Sequence, residues 1–345
     1  MDSPLLAAPG AVPATGLDAG VAAHYGDPYA EQRALDTSAG VVDRSHLGVI
    51  RITGPDRLSW LHSLSTQHVE QLAPGGTAET LILTPQGRVE HHLTLTDDGT
   101  ALWAHVAPGT QEALLAFLTS MRFMLRVDPQ DVTGEFAVLT LQGPAAQQAL
   151  AGEAAATIAG PLQAIDLIVA RPQLAEAVAK LQAGGAVLAG MWAHEALRIA
   201  ARRPRAGLDT DHNSIPHEMG WIETAVHLSK GCYRGQETVA RVHNLGHPPR
   251  RLVFLHLDGS TDELPGHGDP VQAGEATVGF VGSSARHYEQ GPIALGLIKR
   301  TVPVDAPLTA AGVAAAQEVI VPPDAGANVQ ITLRRPRGDL RRPRP

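Results

Sequence analysis

The sequence predicts an α+β protein whose C-terminal part is a small β-barrel. The 345 residues are enough for about two or three domains. Up to residue 245, strands and helices are mixed without the regular β–α–β alternation of a doubly wound sheet. After Gly246-His247-Pro248-Pro249 the helical pattern gives way to short strands separated by turns rich in Gly, Pro and Asp, which is typical of a barrel.

The predicted elements begin after a leader. Residues 1–33 are rich in Ala, Gly and Pro without periodicity, which predicts a disordered segment. Residues 47–52 are typical of a strand. Gly54-Pro55-Asp56 then predicts a helix to Leu64, because Pro suits the first turn and Asp favours its positive end.

A β-hairpin is predicted next, with residues 80–84 and 89–96 flanking the turn Pro85-Gln86-Gly87-Arg88. Side chains alternate along a strand, so His91 and His92 are expected on opposite faces. Periodicity also predicts strands at residues 101–106, 136–141, 165–170, 251–257, 276–283 and 293–298, and helices at residues 110–121 and 173–181.

Composition excludes several classes of protein. The single cysteine, Cys232, can form neither an internal disulfide nor a cysteine cage for zinc. The first 25 residues have no basic region and are broken by Pro and Gly, unlike a signal peptide. The longest apolar run, residues 186–193, is too short to span a bilayer. We therefore expect a soluble, cytoplasmic protein with no membrane partner.

The net charge of −8 is unevenly distributed. Residues 334–345 carry six arginines and one aspartate, so the rest of the chain has a net charge of −13. Because nucleic-acid binding depends on Lys and Arg that neutralise phosphates, we expect no direct nucleic-acid binding by this body. The tail is predicted to be disordered, and its binding to RNA or another polyanion stays open.

Common catalytic motifs are missing. The sequence has no P-loop, no dinucleotide-binding glycine pattern and no nucleophile elbow. The two His-Glu pairs, at 194–195 and 217–218, are not completed to His-Glu-x-x-His. No metal site is predicted.

The most specific local pattern is Lys230-Gly231-Cys232-Tyr233-Arg234-Gly235-Gln236-Glu237. Its glycines permit tight backbone turns around the cysteine, and a short helix is predicted from Gln236 to His243. The positive end of that helix, with Lys230 and Arg234, is expected to favour the thiolate form of Cys232. On the residues alone, a functional thiol and a small buried side chain stay equally open.

This segment resembles the Lys-Gly-Cys-Tyr-x-Gly-Gln-Glu signature of the YgfZ family, folate-binding relatives of the aminomethyltransferase T-protein of the glycine cleavage system. All seven specified positions match. The resemblance extends to residues 54–66, to the hairpin turn at 83–88, to a predicted strand at 197–199 and to barrel segments at 278–283 and 292–300.

The resemblance implies a three-domain ring of the T-protein type. Two intertwined α+β subdomains would occupy residues 34–245 as the folate-binding region, and the β-barrel would occupy residues 246–333. Tetrahydrofolate or a derivative would bind in a central channel. Cys232 would be the functional thiol with Lys230 beside it, in a motif completed by Gly231, Tyr233, Gly235, Gln236 and Glu237. The implied folate-channel residues are His91, His92, Glu195, Arg198 and Glu218.

Two positions depart from the aminomethyltransferase pattern. The Asp-Asp-Leu that supplies an acid beside the reactive folate nitrogen is here His91-His92-Leu93, and the glutamate of Leu-Arg-Ile-Glu-Ala-Gly is Ala200. Imidazole changes the charge beside a developing iminium, and alanine offers no acceptor to the pterin. Two alternatives follow: folate binds weakly, or the pterin is held by other groups such as Glu195 or Glu218.

Three functions from different classes follow. The first is a folate-binding factor that supports iron–sulfur cluster biogenesis or repair, including for tRNA-modifying enzymes, through Cys232 and with iron–sulfur client or assembly proteins as partners. The second is a tetrahydrofolate-dependent one-carbon (aminomethyl) transferase or demethylase. The third is an interaction module that uses the basic tail and acidic body. One thiol cannot hold a four-cysteine cluster, so any cluster contact would be transient or shared.

Overall fold

The structure is a computed structural model that describes residues 1–150, 157–160, 164–260 and 262–327. Within them the chain forms two five-stranded sheets, a closed six-stranded barrel and a two-stranded sheet. None of the helices in this part of the chain is long and apolar enough to cross a bilayer. The predicted basic tail, residues 334–345, lies outside the described residues.

The helical elements are distributed over the first 245 residues. The α-helices are α1 (Pro28–Thr37), α2 (Arg57–Leu64), α3 (Gln111–Ser120), α4 (Ala146–Ala149), α5 (Leu174–Ala183), α6 (Met191–Ala200) and α7 (Gln236–Leu245). Short 3₁₀ turns lie at Pro4–Ala7, Gly16–Asp18, Arg171–Gln173 and Pro216–Met219.

The strands continue to the end of the barrel. Those of the N-terminal part are β1 (Val12–Pro13), β2 (Ala22–His24), β3 (Gly40–Asp43), β4 (Gly48–Thr53), β5 (Thr77–Leu83), β6 (Val89–Asp97), β7 (Ala101–Val106), β8 (Asp128–Asp131), β9 (Phe136–Gln142), β10 (Thr157–Gly160), β11 (Ala164–Ala170) and β12 (Val187–Ala189). Those of the barrel are β13 (Arg250–Leu257), β14 (Pro270–Ala273), β15 (Ala276–His287), β16 (Gly291–Lys299), β17 (Leu308–Ala310) and β18 (Val313–Val319).

Two α+β subdomains are intertwined in the chain. One sheet, with strand order β5-β6-β7-β4-β8, is contiguous in sequence, whereas the other, β10-β11-β9-β3-β12, takes strands from both sides of it. Helices α2 and α3 cover the first sheet through Trp60, Leu61 and Leu114. Burying each such side chain contributes about 1.5–3 kcal/mol to the stability of the fold, so the helices stabilise the sheet by covering its apolar face.

The C-terminal strands close into a barrel in the order β13-β16-β15-β14-β17-β18. Strand β13 is apolar on both faces, because Val253 and Leu255 fill the barrel while Leu252 and Phe254 pack against Trp221 and its neighbours. This second face joins the barrel to the subdomains. The predicted fold class, α+β with two intertwined subdomains and a C-terminal β-barrel, is confirmed.

The prediction of a disordered leader over residues 1–33 is wrong. Leu5 is 7 % exposed in the core of the second subdomain, and the Ser3 hydroxyl donates to the Asp43 carboxylate. Residues 22–24 pair with β1, and α1 starts at Pro28 with Asp27 as its N-cap. The few apolar residues here are covered by distant parts of the chain, so they show no local periodicity.

The strand expected at residues 197–199 is also wrong, because these residues belong to helix α6. Its buried residues include Met191, His194, Leu197 and Arg198, which recur at helical spacing. The helix is enclosed by α1, β2 and β15, so little of its circumference faces solvent. Three residues of a motif are too few to separate the two periodicities.

Candidate functional site

A cavity of about 680 Å³ lies between the two five-stranded sheets, helix α6 and the loop that follows it. Its size is that of a small-molecule site. The side chains on its wall come from β5, β6 and β7 of one sheet and from β9 and β11 of the other. The charged groups there are arranged in clusters that combine arginine, histidine and carboxylate.

The first cluster is centred on Arg198 of α6. Its guanidinium donates to Glu195 at 2.7 and 3.0 Å, to Asp209 at 2.9 Å and to the Ser283 hydroxyl of the barrel at 2.9 Å. Burial opposes ionisation of Glu195, but Arg198 and Arg205 outweigh it and lower the pKa of Glu195 to about 2. Arg198 therefore fastens the cavity wall to the barrel.

The second cluster lies where β5 and β6 run side by side. Arg203 donates to Glu79 Oε1 at 2.6 Å, and His92 Nε2 lies 3.3 Å from Glu79 Oε2. The His92 ring packs against Trp221 with 4.7 Å between ring centroids. Burial opposes ionisation of Glu79, but His92 and Arg203 lower its pKa. Glu79 thus places a carboxylate beside residue 92, where the sequence itself has a histidine.

The third cluster joins the two sheets through Asp166 of β11. His105 Nε2 lies 2.8 Å from Asp166 Oδ2, the Thr140 hydroxyl donates to Oδ1 at 2.5 Å, and Arg44 lies 3.6 Å away. Burial opposes ionisation of Asp166, but His105, Arg44 and Thr140 hold its pKa well below the usual range. Asp166 is a buried carboxylate, and each of its oxygens accepts one hydrogen bond within the described residues.

His194 lies on the same wall and has an unused ring nitrogen. The residue is 7 % exposed, and its Nδ1 has no hydrogen-bond partner among the described residues. Burial, reinforced by Arg44, lowers the pKa of His194 to about 3. The imidazole is therefore neutral at physiological pH.

Three of the five side chains implied for the folate channel line this cavity, namely His92, Glu195 and Arg198. His91 does not, because it lies on the opposite face of β6 from His92, where burial lowers its pKa to about 4. Glu218 does not either. It is fully buried and accepts from Arg250 of β13 at 2.8 Å, so it joins the barrel to the subdomains outside the cavity wall.

The signature segment lies outside the cavity wall, and its lysine serves as an anchor. The Lys230 ammonium donates to the carbonyl oxygens of His62, Ser65 and Gln67 at the C-terminal end of α2. A cation there complements the negative end of the helix dipole. Burial lowers the pKa of Lys230 to about 8.

Both basic side chains that were expected to support the Cys232 thiol make contacts with other groups. Lys230 is turned towards α2, and Arg234 pairs with Glu90 at 3.1 Å and lies over the ring of Phe117. Cys232 itself is exposed, which is at odds with a small buried side chain. The helix predicted from Gln236 is confirmed as α7 and continues to Leu245.

The two glycine-containing motifs of the sequence pack against each other. Gly235 has φ +83°, and a Cβ atom there would lie 2.5 Å from the Thr84 carbonyl oxygen. At Gly87, in the hairpin turn, a Cβ atom would lie 2.6 Å from Cβ of Thr238. Only glycine permits this approach, so the motif holds the exposed thiol in a fixed loop.

Several wall residues were missed by the sequence analysis: Glu79, His105, Asp166, His194, Arg203 and Arg205. For two of these residues, the sequence contained an indication from which a role in the site could have been predicted. His105 and Asp166 are single polar residues inside otherwise apolar strands, β7 and β11, where an unpaired polar group is costly. Among the described residues, no group of three or more His, Cys, Asp or Glu side chains is arranged to hold a metal ion.

Comparison with known proteins places these features in context. Residues 22–159 match the family described as the GCVT N-terminal domain. The chain is 30 % identical over 288 residues to the aminomethyltransferase of Rubrobacter xylanophilus, which covers 75 % of each chain. A chloroplastic relative from Arabidopsis thaliana is 28 % identical over 257 residues, and the chain spans 59 % of its length. The aminomethyltransferase T of the Bartonella henselae glycine cleavage system has the same fold, with a TM-score of 0.78 at 17 % identity over 92 % of this chain and 96 % of that one.

Proposed function

The chain belongs to the glycine cleavage T-protein superfamily, and we propose that its central cavity binds tetrahydrofolate or a derivative. Members of this superfamily bind tetrahydrofolate derivatives, and the proposal places that ligand among the three ionic clusters on the wall. The observation that carries it is Asp166, a buried and ionised carboxylate facing a cavity of small-molecule size.

Asp166 suits the amidine edge of a pterin better than the two carboxylates expected from the sequence. A pterin presents adjacent N–H groups there, and a carboxylate accepts such a pair in bidentate fashion. Glu195 is bound through both oxygens by the Arg198 guanidinium and has Arg205 3.3 Å from Oε1 as well, and Glu218 lies outside the cavity. His105 and Thr140 leave a second lone pair on each oxygen of Asp166.

Calorimetric titration with tetrahydrofolate and its methylene form tests this proposal. We expect saturable binding by the wild type and an affinity for Asp166→Asn weaker by about tenfold or more, because an unpaired buried donor costs about 1–3 kcal/mol. Asp258→Asn, on an exposed residue at the end of β13, is the matched control and is expected to bind as the wild type does. Absence of binding of both folates to the wild type would contradict the proposal.

A role of this folate protein in iron–sulfur cluster assembly or repair, including for tRNA-modifying enzymes, is the finer part of the proposal. The observation in its favour is the exposed Cys232 thiol in a loop fixed on one side by Lys230 and on the other by Gly235. Such a thiol is able to make transient contact with a cluster held by a client or assembly protein.

A deletion strain tests the thiol. Cys232→Ala is expected to leave iron–sulfur enzyme activities as low as in the deletion, whereas Gly231→Ala, which changes the neighbouring residue without removing the thiol, restores them. Full restoration by Cys232→Ala would remove the thiol from the function.

A tetrahydrofolate-dependent one-carbon transferase is the second candidate. Relatives named as aminomethyltransferases favour it, as does Glu79, which supplies a carboxylate next to His92. Formation of methylene-tetrahydrofolate from glycine-derived or methylated amines is the expected activity. No product with any of these amines, in the presence of bound tetrahydrofolate, would count against it.

A further inference from the structure

Resting on the proposed folate site, we infer that His92 and Glu79 form a proton-accepting pair that hydrolyses the methenyl group of a bound methenyl-tetrahydrofolate. This activity differs from aminomethyl transfer, because the nucleophile is water and no amine is delivered. The pair lies on the cavity wall between β5 and β6.

The geometry is that of a histidine oriented by a carboxylate. His92 Nε2 is 3.3 Å from Glu79 Oε2, with both side chains 16 % exposed. Arg203 holds the other carboxylate oxygen at 2.6 Å, and the Trp221 ring packs against the imidazole. Neither His92 Nε2 nor Glu79 Oε2 makes a well-formed hydrogen bond within the described residues. The two atoms face each other and are shielded from solvent, so Nδ1 is the ring nitrogen left for a ligand or water.

The charges favour a base over an acid at this position. Glu79 is ionised, because His92 and Arg203 offset its burial. In the proposed step His92 Nε2 faces this carboxylate, Nδ1 accepts the proton, and Glu79 stabilises the imidazolium that forms. An aspartate in place of His92 could not form the cation that the neighbouring carboxylate stabilises.

The residues on the wall leave water as the nucleophile. The described lining includes no cysteine, serine or lysine. Its hydroxyls belong to four threonines, Thr77, Thr94, Thr140 and Thr224; a threonine hydroxyl is a weak nucleophile, and that of Thr140 already donates to Asp166. Among the one-carbon groups that tetrahydrofolate carries, methenyl is a cationic amidinium, which water attacks without prior protonation. A base is therefore the one catalytic group that this step requires.

The reaction balances without a further cofactor. Water forms a C–O bond to the methenyl carbon and gives one proton to His92 Nδ1, which later releases it to solvent. The resulting carbinol loses its hydroxyl proton to N5 as the C–N5 bond breaks and the C=O bond forms. The products are 10-formyl-tetrahydrofolate and one proton, with no oxidation or reduction.

The test follows the near-ultraviolet absorbance of methenyl-tetrahydrofolate with and without the full-length protein near neutral pH, with the rate in buffer alone subtracted. We expect His92→Gln to lower kcat by roughly 100-fold or more, the range of general-base catalysis, with little change in KM. Glu79→Gln is expected to lower kcat in the same way. His256→Gln, on the outer side of β13, is the matched control.

A pH profile separates catalysis from a structural effect. The pH profile of the wild-type rate is expected to change shape in His92→Gln, because the proposed base is lost. The ionisable groups that share the cavity with His92 are Glu79 on β5, His105 on β7, Asp166 on β11, His194, Glu195 and Arg198 on α6, Arg203 and Arg205 after α6, Arg44 and His68.

Titration of each variant with tetrahydrofolate, which has no electrophilic carbon, keeps the two proposals distinguishable. Hydrolysis lost in His92→Gln with tetrahydrofolate binding retained supports the inference. A wild type that binds tetrahydrofolate but does not exceed the buffer rate, or a His92→Gln protein as active as the wild type, overturns the inference and leaves folate binding standing. A wild type that binds no folate overturns both.

Discussion

The Lys230 ammonium donates to the Ser65 carbonyl oxygen at 2.5 Å, and through this contact the signature loop is joined to the end of helix α2. Two further carbonyls, those of His62 and Gln67, accept from the same nitrogen. Lys230 of the signature segment thus anchors the loop, and Cys232 is the exposed reactive group on that loop.

Lys230→Met is expected to lower the free energy of unfolding by about 2–3 kcal/mol, because it removes charge-assisted hydrogen bonds and leaves buried carbonyls unpaired. Chemical denaturation measures this. Cys232→Ser is the control, since the exposed thiol makes no comparable contact, and a change within about 0.5 kcal/mol is expected. Equal stability of Lys230→Met and the wild type would show that the lysine has another role.

Gly235→Ala tests the packing of the two motifs. The substitution places a Cβ atom 2.5 Å from the Thr84 carbonyl oxygen at a residue with φ +83°, so a loss of about 1–3 kcal/mol is expected. Gly231→Ala, four residues earlier, meets no atom within 4 Å and is expected to change stability little. Thermal unfolding of the two variants side by side measures the difference, and identical midpoints would argue against the close approach.

Leu5→Ala tests whether the N-terminal segment is part of the fold. Leu5 is 7 % exposed, and large-to-small changes in a core cost about 2–5 kcal/mol, with the lower end expected at this peripheral site. Leu17→Ala, at a residue that is 36 % exposed, is the control and should cost clearly less. A Leu5→Ala protein as stable as the Leu17→Ala protein would contradict the packing of this segment in the core and would agree with the disorder predicted from the sequence.

His194 is expected to make stability fall in acid. Its pKa of about 3 in the folded protein lies below the usual 6.5, so between these values the unfolded chain binds a proton that the folded chain does not. Stability therefore decreases as the pH falls from about 6.5, by up to about 1.4 kcal/mol per pH unit for this group. His194→Gln should flatten the slope between pH 6 and pH 5, where carboxylates contribute little. An unchanged slope in urea unfolding at these pH values would contradict the burial of a neutral imidazole.

Much of the fold could be predicted because its determinants are local. The alternation over residues 89–96 and the turn before it specified the hairpin, and the apolar run at 251–257 specified a barrel strand. Where local signals were weak, prediction failed. Leu5 and Ala23 are buried by residues far away in the chain, and the three residues 197–199 could not distinguish a strand from a turn of α6.

The candidate site was predicted in part for the same reason. The alternation along β6 separates His91 from His92, but it does not say which of the two meets the cavity. A carboxylate in the sequence is equally compatible with a ligand and with an ion pair, and Glu218 proved to be bound by Arg250 of the barrel.

The sequence by itself determined the fold class, the intertwined subdomains through their family resemblance, and the glycines and lysine of the signature segment, because these depend on short-range spacing and backbone conformation. The tertiary structure alone decided which polar groups share the cavity. Glu79 meets His92 from the neighbouring strand, whereas Asp166 meets His105 across two sheets. Charge interactions depend on distance in space, and the distance between residues from different sheets is set only when both cores have packed.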